Sequence, residues 1–159
     1  MINYDKEKLF VKKFITKIKA DRLIFELQSE KRRRDALWRF CHGVENLIKI
    51  DLIDVKDRKM SPQDIYKKIR ENSNDNTGYV ISLDNGIDGH EFELFEALEK
   101  STNSGLASIV LVGKNIVVIV AEQEHGSAEK YILKSQWRNL NKKWGAIKSE
   151  YFFYISWKI

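Results

Sequence analysis

Apolar and polar positions change period near the middle of this chain. Over residues 5 to 28, Phe10, Phe14 and Ile18 recur at helical spacing, with Val11 and Ile15 beside them. Leu23, Ile24 and Leu27 extend the stripe, while Lys6, Lys12, Lys13, Lys17 and Lys19 fall largely on the other side. This predicts one or two helices, with Asp21 as the cap of the second. Residues 30 to 49 predict a further helix whose apolar face carries Ala36, Leu37, Phe40, Val44, Leu47 and Ile48. Residues 51 to 57 alternate weakly, which suits a short edge strand. Ser61-Pro62-Gln63-Asp64 is a helix start: Ser61 can cap, Pro62 fits the first helical position, and Asp64 sits near the positive end of the dipole. That helix carries Ile65, Tyr66 and Ile69 and ends in the polar run from 72 to 78.

Beyond that run the pattern turns to strands. Residues 78 to 83 predict a strand, and Asp84-Asn85-Gly86 a turn. A helix follows over 89 to 102, with Phe92, Phe95 and Leu98 inward. From Ala107 to Ala121, two runs rich in β-branched residues flank Gly113-Lys114-Asn115, which predicts a hairpin. Neither run alternates with polar residues, so both its faces should be covered, at the centre of a sheet. A strand over 130 to 133, a helix over 135 to 147 and an aromatic strand over 151 to 157 complete the reading. The expected architecture is one α+β domain over 1–159, with a helical layer at 1–72 and a mixed sheet and helix layer at 78–159. Its N-terminal helices pack on a mainly antiparallel sheet centred on the 107–121 hairpin.

Composition narrows the class. The single cysteine, Cys41, rules out an internal disulfide and fits a reducing compartment. The N-terminal stretch has no apolar signal core, and the longest apolar run is interrupted at residues 113 to 115, short of the roughly 20 residues a spanning helix needs. A cytoplasmic protein without a membrane partner is the expectation. The net charge of +5 conceals a segmental pattern. Residues 1 to 70 hold 19 Lys and Arg against 11 Asp and Glu, residues 71 to 130 hold 3 against 11, and residues 131 to 159 hold 6 against 1. The chain is therefore basic, then acidic, then basic, a layout that either makes a two-signed surface suited to steered association with a charged partner or neutralises itself once folded.

Candidate chemistry lies in four places. The stretch from Asp84 through Asp88 to Glu91 has the oxygen ligands of a calcium loop at some positions, but Phe95 stands where the bidentate glutamate belongs. Asp88 with Glu91 three residues on reads instead as a capping box. Glu122 and Glu124 form a second acidic group. The segment order from residue 90 onward resembles the core order of restriction-endonuclease-like nucleases. That resemblance implies an acid on the second strand, where Glu122 stands, and an acid-x-Lys on the third, where Ile132-Leu133-Lys134 lacks the acid. Cys41 and His42 are neighbours on a helix and point about 100° apart, unlike a nucleophile and its base. Basic residues concentrate at Lys31, Arg32, Arg33 and Arg34, and again with aromatics at Arg138, Lys142 and Lys143.

Three functions follow. The leading expectation is a protein-binding regulator, inhibitor or immunity-type neutraliser without catalytic residues, metal or cofactor. It would dock through an acidic surface of Asp84, Asp88, Glu91, Glu93, Glu122 and Glu124. The first alternative is nucleic-acid binding through the Lys31–Arg34 run and Arg138, Lys142 and Lys143. The second is a metal-dependent nuclease or hydrolase using Glu91, Glu122 and Glu124.

Overall fold

The structure, a computed structural model, describes residues 1–123 and 125–135. The expected strand over 151–157 and all but Ser135 of the expected helix over 135–147 fall outside these residues. So do the site candidates Glu124, Arg138, Lys142 and Lys143.

Two helices open the chain, α1 at Tyr4–Phe14 and α2 at Lys17–Leu27, followed by α3 at Glu30–His42 and the single turn α4 at Val44–Leu47. Asn3 caps α1 by accepting from the Lys6 amide at 3.1 Å. The residue preceding α2 is Thr16, so Asp21 lies inside the helix and does not cap it. The break between α1 and α2 is made at long range. The Thr16 amide donates to the Leu47 carbonyl and the Lys49 amide to the Phe14 carbonyl, both at 2.8 Å, bridging Ile15 to Ile48. Restarting the helix there changes its phase. Phe10 and Phe14 are buried, whereas Ile18, the third member of the expected stripe, is 94% exposed.

A short 3-10 turn leads to β1 at Ile53–Lys56, and α5 at Pro62–Arg70 follows. The Ser61 hydroxyl accepts from the Asp64 amide, so Ser61 caps α5 as expected, and the Asp64 carboxylate accepts from the Ser61 amide in return, closing a capping box. Then come β2 at Thr77–Ser82, β3 at Glu91–Glu93, α6 at Leu94–Asn103, β4 at Ser108–Val112, β5 at Ile116–Val120 and β6 at Lys130–Lys134. All six strands form one antiparallel sheet in the order β1-β6-β5-β4-β2-β3. The β4–β5 hairpin occupies its two central places, as its uninterrupted apolar runs require.

The strand period of two divides the apolar residues between two cores. Tyr79, Ile81, Ile109, Leu111, Val117 and Leu133 face α1 to α4. Val80, Val110, Val112, Val118 and Ile132 face α5 and α6. The fold is thus three layers deep. The helices before residue 72 do not all share one layer, because α5 packs beside α6 on the opposite face through Ile65 and Ile69. Gly78 sets the spacing of α6 on the sheet: a Cβ there would lie 2.7 Å from Val110 Cγ1 and 3.0 Å from Ala97 Cβ.

The helix expected over 89–102 starts later than its pattern suggests. Residues 91–93 first extend along β2 as an edge strand, pairing Glu91 with Tyr79 and Glu93 with Thr77. Glu93 caps α6, accepting from the Glu96 amide at 3.4 Å. The capping box expected of Asp88 and Glu91 is therefore absent, and both carboxylates have other partners.

Candidate binding surfaces

The most connected polar group in the described molecule is Arg33. Its position on α3 is in phase with Leu37 and Phe40, so its guanidinium points into the helix–sheet interface and the residue is 6% exposed. All five N–H donors find acceptors. Nη1 donates to Glu7 Oε2 at 2.8 Å and to the Leu27 carbonyl at 3.1 Å. Nη2 donates to Glu7 Oε1 at 2.8 Å and Asp88 Oδ1 at 2.7 Å, and Nε to Asp88 Oδ2 at 2.8 Å. Two forked pairs thus meet on one side chain.

Each carboxylate accepts one further hydrogen bond. The Tyr79 hydroxyl donates to Glu7 Oε1 at 2.9 Å and accepts from the Asn3 amide at 2.8 Å. The Ser82 amide donates to Asp88 Oδ1 at 2.9 Å. Burial lowers and the two carboxylates raise the Arg33 pKa, and the net direction is upward, so the guanidinium stays charged. Burial and the Glu7 charge push the Tyr79 phenol upward, so it remains a donor. This knot ties α1, α3, β2 and the loop after β2 together. It answers the cost of placing cations at the start of α3, because the offsetting acids come from Glu7 and the acidic segment itself.

The acidic set expected to meet a partner is thereby dispersed. Asp88 is spent on Arg33 and Ser82. Glu91 accepts from Lys6 at 2.6 Å and from the Thr77 hydroxyl at 2.7 Å, and both hydrogen bonds hold its carboxyl below the ordinary value. Asp84 builds its own turn, accepting from the Gly86 amide at 2.8 Å. Glu93 caps α6. Glu122 lies 3.5 Å from His42 Nε2 at the end of α3. The structure does not bring Glu91 and Glu122 together: three strand spacings separate β3 from β5, about 14 Å across the sheet. Ile132 is fully buried in the second core, and Lys134 is held by Asp54 at 2.9 Å. Among the described residues no three His, Cys, Asp or Glu side chains cluster to hold a metal ion. Cys41 is buried, and desolvation together with the Glu122 charge pushes its thiol up to about 12, far from a thiolate at neutral pH.

The basic run does not act as a unit either. Successive helical positions fan by about 100°. Arg33 turns inward, and Arg34 donates to the Leu83 carbonyl at 3.2 Å and Asn85 Oδ1 at 3.0 Å. Lys31 faces solvent, and the Arg32 guanidinium lies 5.1 Å over the Phe25 ring.

A different surface gathers exposed apolar and cationic groups. Ile18 and Phe25, seven residues apart, share the solvent face of α2 and are 94% and 57% exposed. Beside them a groove of about 290 Å³ runs between α2 and the α3–α4 segment. Leu23, Ala36 and Leu47 line its floor, and Lys19, Arg22 and Arg39 its rim. Glu26 sits among these cations, accepting from Arg22 Nε at 2.9 Å and from Arg39 Nη2. Burial opposes ionisation of Glu26, but the two arginines outweigh it and hold the carboxyl below its ordinary value. The Lys19 ammonium donates to the Asn46 carbonyl at 2.8 Å. Three cations around one carboxylate leave this groove positively charged. Sequence reasoning passed over these residues because Ile18 was read as an inward position. The spacing of Ile18 to Phe25 was the available signal.

No helix among the described residues is long and apolar enough to cross a membrane. Comparison with protein-family models, curated proteins and solved structures yields no match.

Proposed function

We propose that this chain is a non-enzymatic protein-binding module, a cytoplasmic regulator or neutraliser that docks an acidic surface of another protein on the outer face of α2. The observation that carries the reading is the exposure of Ile18 and Phe25 beside the groove rimmed by Lys19, Arg22 and Arg39. Apolar anchors framed by arginine have the composition of an interface centre. Burying one such side chain contributes about 1.5–3 kcal/mol, so two anchors supply a useful share of a micromolar affinity near 8 kcal/mol. The acidic surface expected from the sequence is a weaker basis, since Asp88 and Glu91 are held by Arg33 and Lys6. The acidic partner now meets basic groups on this chain.

The test compares wild type with Ile18→Asp, Phe25→Asp and Arg22→Glu in co-purification with quantitative mass spectrometry, each variant first shown to keep its circular dichroism and melting temperature. The expected result is a partner retained by wild type and lost from all three. Identical partner profiles would overturn the reading. Salt-sensitive oligonucleotide binding that disappears with Arg22→Glu would replace it with the nucleic-acid alternative.

A further inference from the structure

A second groove, separate from α2, lies on the other side of the helical layer. It opens between α1 and the tip of the β4–β5 hairpin and encloses about 290 Å³, near the lower end for small-ligand sites. Phe10, Phe14, Leu111 and Val117 form its apolar floor, and Leu9 stands at its lip with 37% of its surface exposed.

The two ends of this groove differ in charge. At one end Lys6 and Glu91 neutralise each other at 2.6 Å, and the Thr77 hydroxyl occupies the second Glu91 oxygen at 2.7 Å. At the hairpin end two cations converge. The Lys13 ammonium donates to the Lys114 carbonyl at 2.7 Å and to Asn115 Oδ1 at 2.9 Å, which fixes it beside the turn. Partial burial, with Lys114 as a neighbouring charge, lowers the Lys13 pKa. Lys114 has no acidic partner among the described residues. The acid at this end is Asp75, whose Oδ2 accepts from the Ser73 hydroxyl at 2.6 Å and rests against Gly113. Lys13 and Lys114 outnumber it, so the hairpin end attracts an anion.

We propose that this groove binds a small amphiphilic anion, a free medium-chain carboxylate whose chain lies on Phe10, Phe14, Leu111 and Val117 and whose head group meets Lys114. The apolar floor rewards the chain, and a charge-assisted hydrogen bond from the exposed Lys114 ammonium orients the head. The size of the groove favours a single short chain over a two-chain lipid.

Decanoate is the probe, titrated below its micellar concentration by calorimetry, with decanol and decylamine as matched uncharged and cationic chains. One saturable decanoate site is expected, with amide shifts centred on residues 111 to 117. Lys114→Glu should weaken it by about tenfold or more, the value of one charge-assisted contact. Leu9→Glu, at an exposed position that leaves the core intact, should do the same. Decanol should bind more weakly than decanoate, and decylamine more weakly still. Absence of saturation, equal binding of decylamine, an unchanged affinity in Lys114→Glu, or shifts centred on α2 would each overturn the proposal.

Discussion

Arg33 offers the sharpest test of how this fold is held. Replacing it with methionine keeps most of the side-chain volume and strands two carboxylates. Glu7 is 2% exposed as a residue, and the Asp88 side chain is 14% exposed. Breaking one buried ion pair by removing a partner typically costs about 3–5 kcal/mol. Here a single guanidinium serves two carboxylates and the Leu27 carbonyl, so a loss of about 4–5 kcal/mol is expected. That is a large part of the roughly 5–15 kcal/mol that stabilises a domain, and for this size it lowers the melting temperature by about 8–20 °C. The triple variant Arg33→Met, Glu7→Gln, Asp88→Asn removes every charge while leaving carbonyl acceptors for the Tyr79 hydroxyl and the Ser82 amide. It should regain about 2 kcal/mol or more of the loss, because the stranded charges, not the missing contacts, dominate it. Acid should also relieve the single variant. Protonating the stranded carboxylates removes the charge that Arg33 no longer balances, so its deficit relative to wild type narrows as pH falls from 7 to 5. Urea unfolding across that range measures all three quantities. A single-variant loss under about 1 kcal/mol, or a deficit that widens in acid, would refute the account of Arg33 as the charge balance of a buried knot.

Three further outcomes follow from particular contacts. Gly113 has φ +55°, and a Cβ there would lie 2.2 Å from Asp75 Oδ2. Gly113→Ala should cost at least the roughly 1–2 kcal/mol of a left-handed L-residue, and adding Asp75→Ser should recover only the steric part, read from urea midpoints. The Ser101 hydroxyl is fully buried with no partner among the described residues. Ser101→Ala should therefore leave stability unchanged or raise it by up to about 1 kcal/mol, measured calorimetrically. Glu26 is held below its ordinary value by Arg22 and Arg39, so the unfolded chain takes up its proton first as pH falls. Its contribution is present at neutral pH and is lost as pH drops through the folded value. Glu26→Gln should flatten the acid limb of the stability–pH curve, and an unchanged limb would show that the arginines do not stabilise the carboxylate.

Much of the fold is legible in the sequence because it follows from short-range chemistry. The helix start at Ser61 and Pro62, the turn at Asp84 and the hairpin at Gly113 each use residue types that few other conformations accommodate. The central place of the hairpin follows from its two apolar faces. What stays hidden depends on distant partners. Nothing local marks the break after α1. Neither glycine nor proline is present there, and the chain turns because the backbone at 14–16 hydrogen-bonds to that at 47–49. Edge strand β3 is concealed for a related reason. Phe92, Phe95 and Leu98 have helical spacing, yet the first of them belongs to a three-residue strand that pairs with β2 before the helix begins.

The segmental charge pattern leaves open which charges meet in space. A basic segment of net +8 and an acidic one of net −8 are compatible with two opposed surfaces or with mutual neutralisation. Folding joins them where Arg33 meets Asp88 and where Lys6 meets Glu91. The clue was one of phase. Glu7 shares the stripe of Phe10 and Phe14, and Arg33 that of Leu37 and Phe40, so opposite charges stand on the buried faces of α1 and α3. A charge in phase with a core stripe must be paired, because an isolated one costs too much to bury. The helical layer buries two acids, Glu7 and Glu26, and one cation, Arg33. Its outward surface is consequently more basic than its composition. That asymmetry, together with the exposed Ile18 and Phe25, is what the proposed basic docking face rests on.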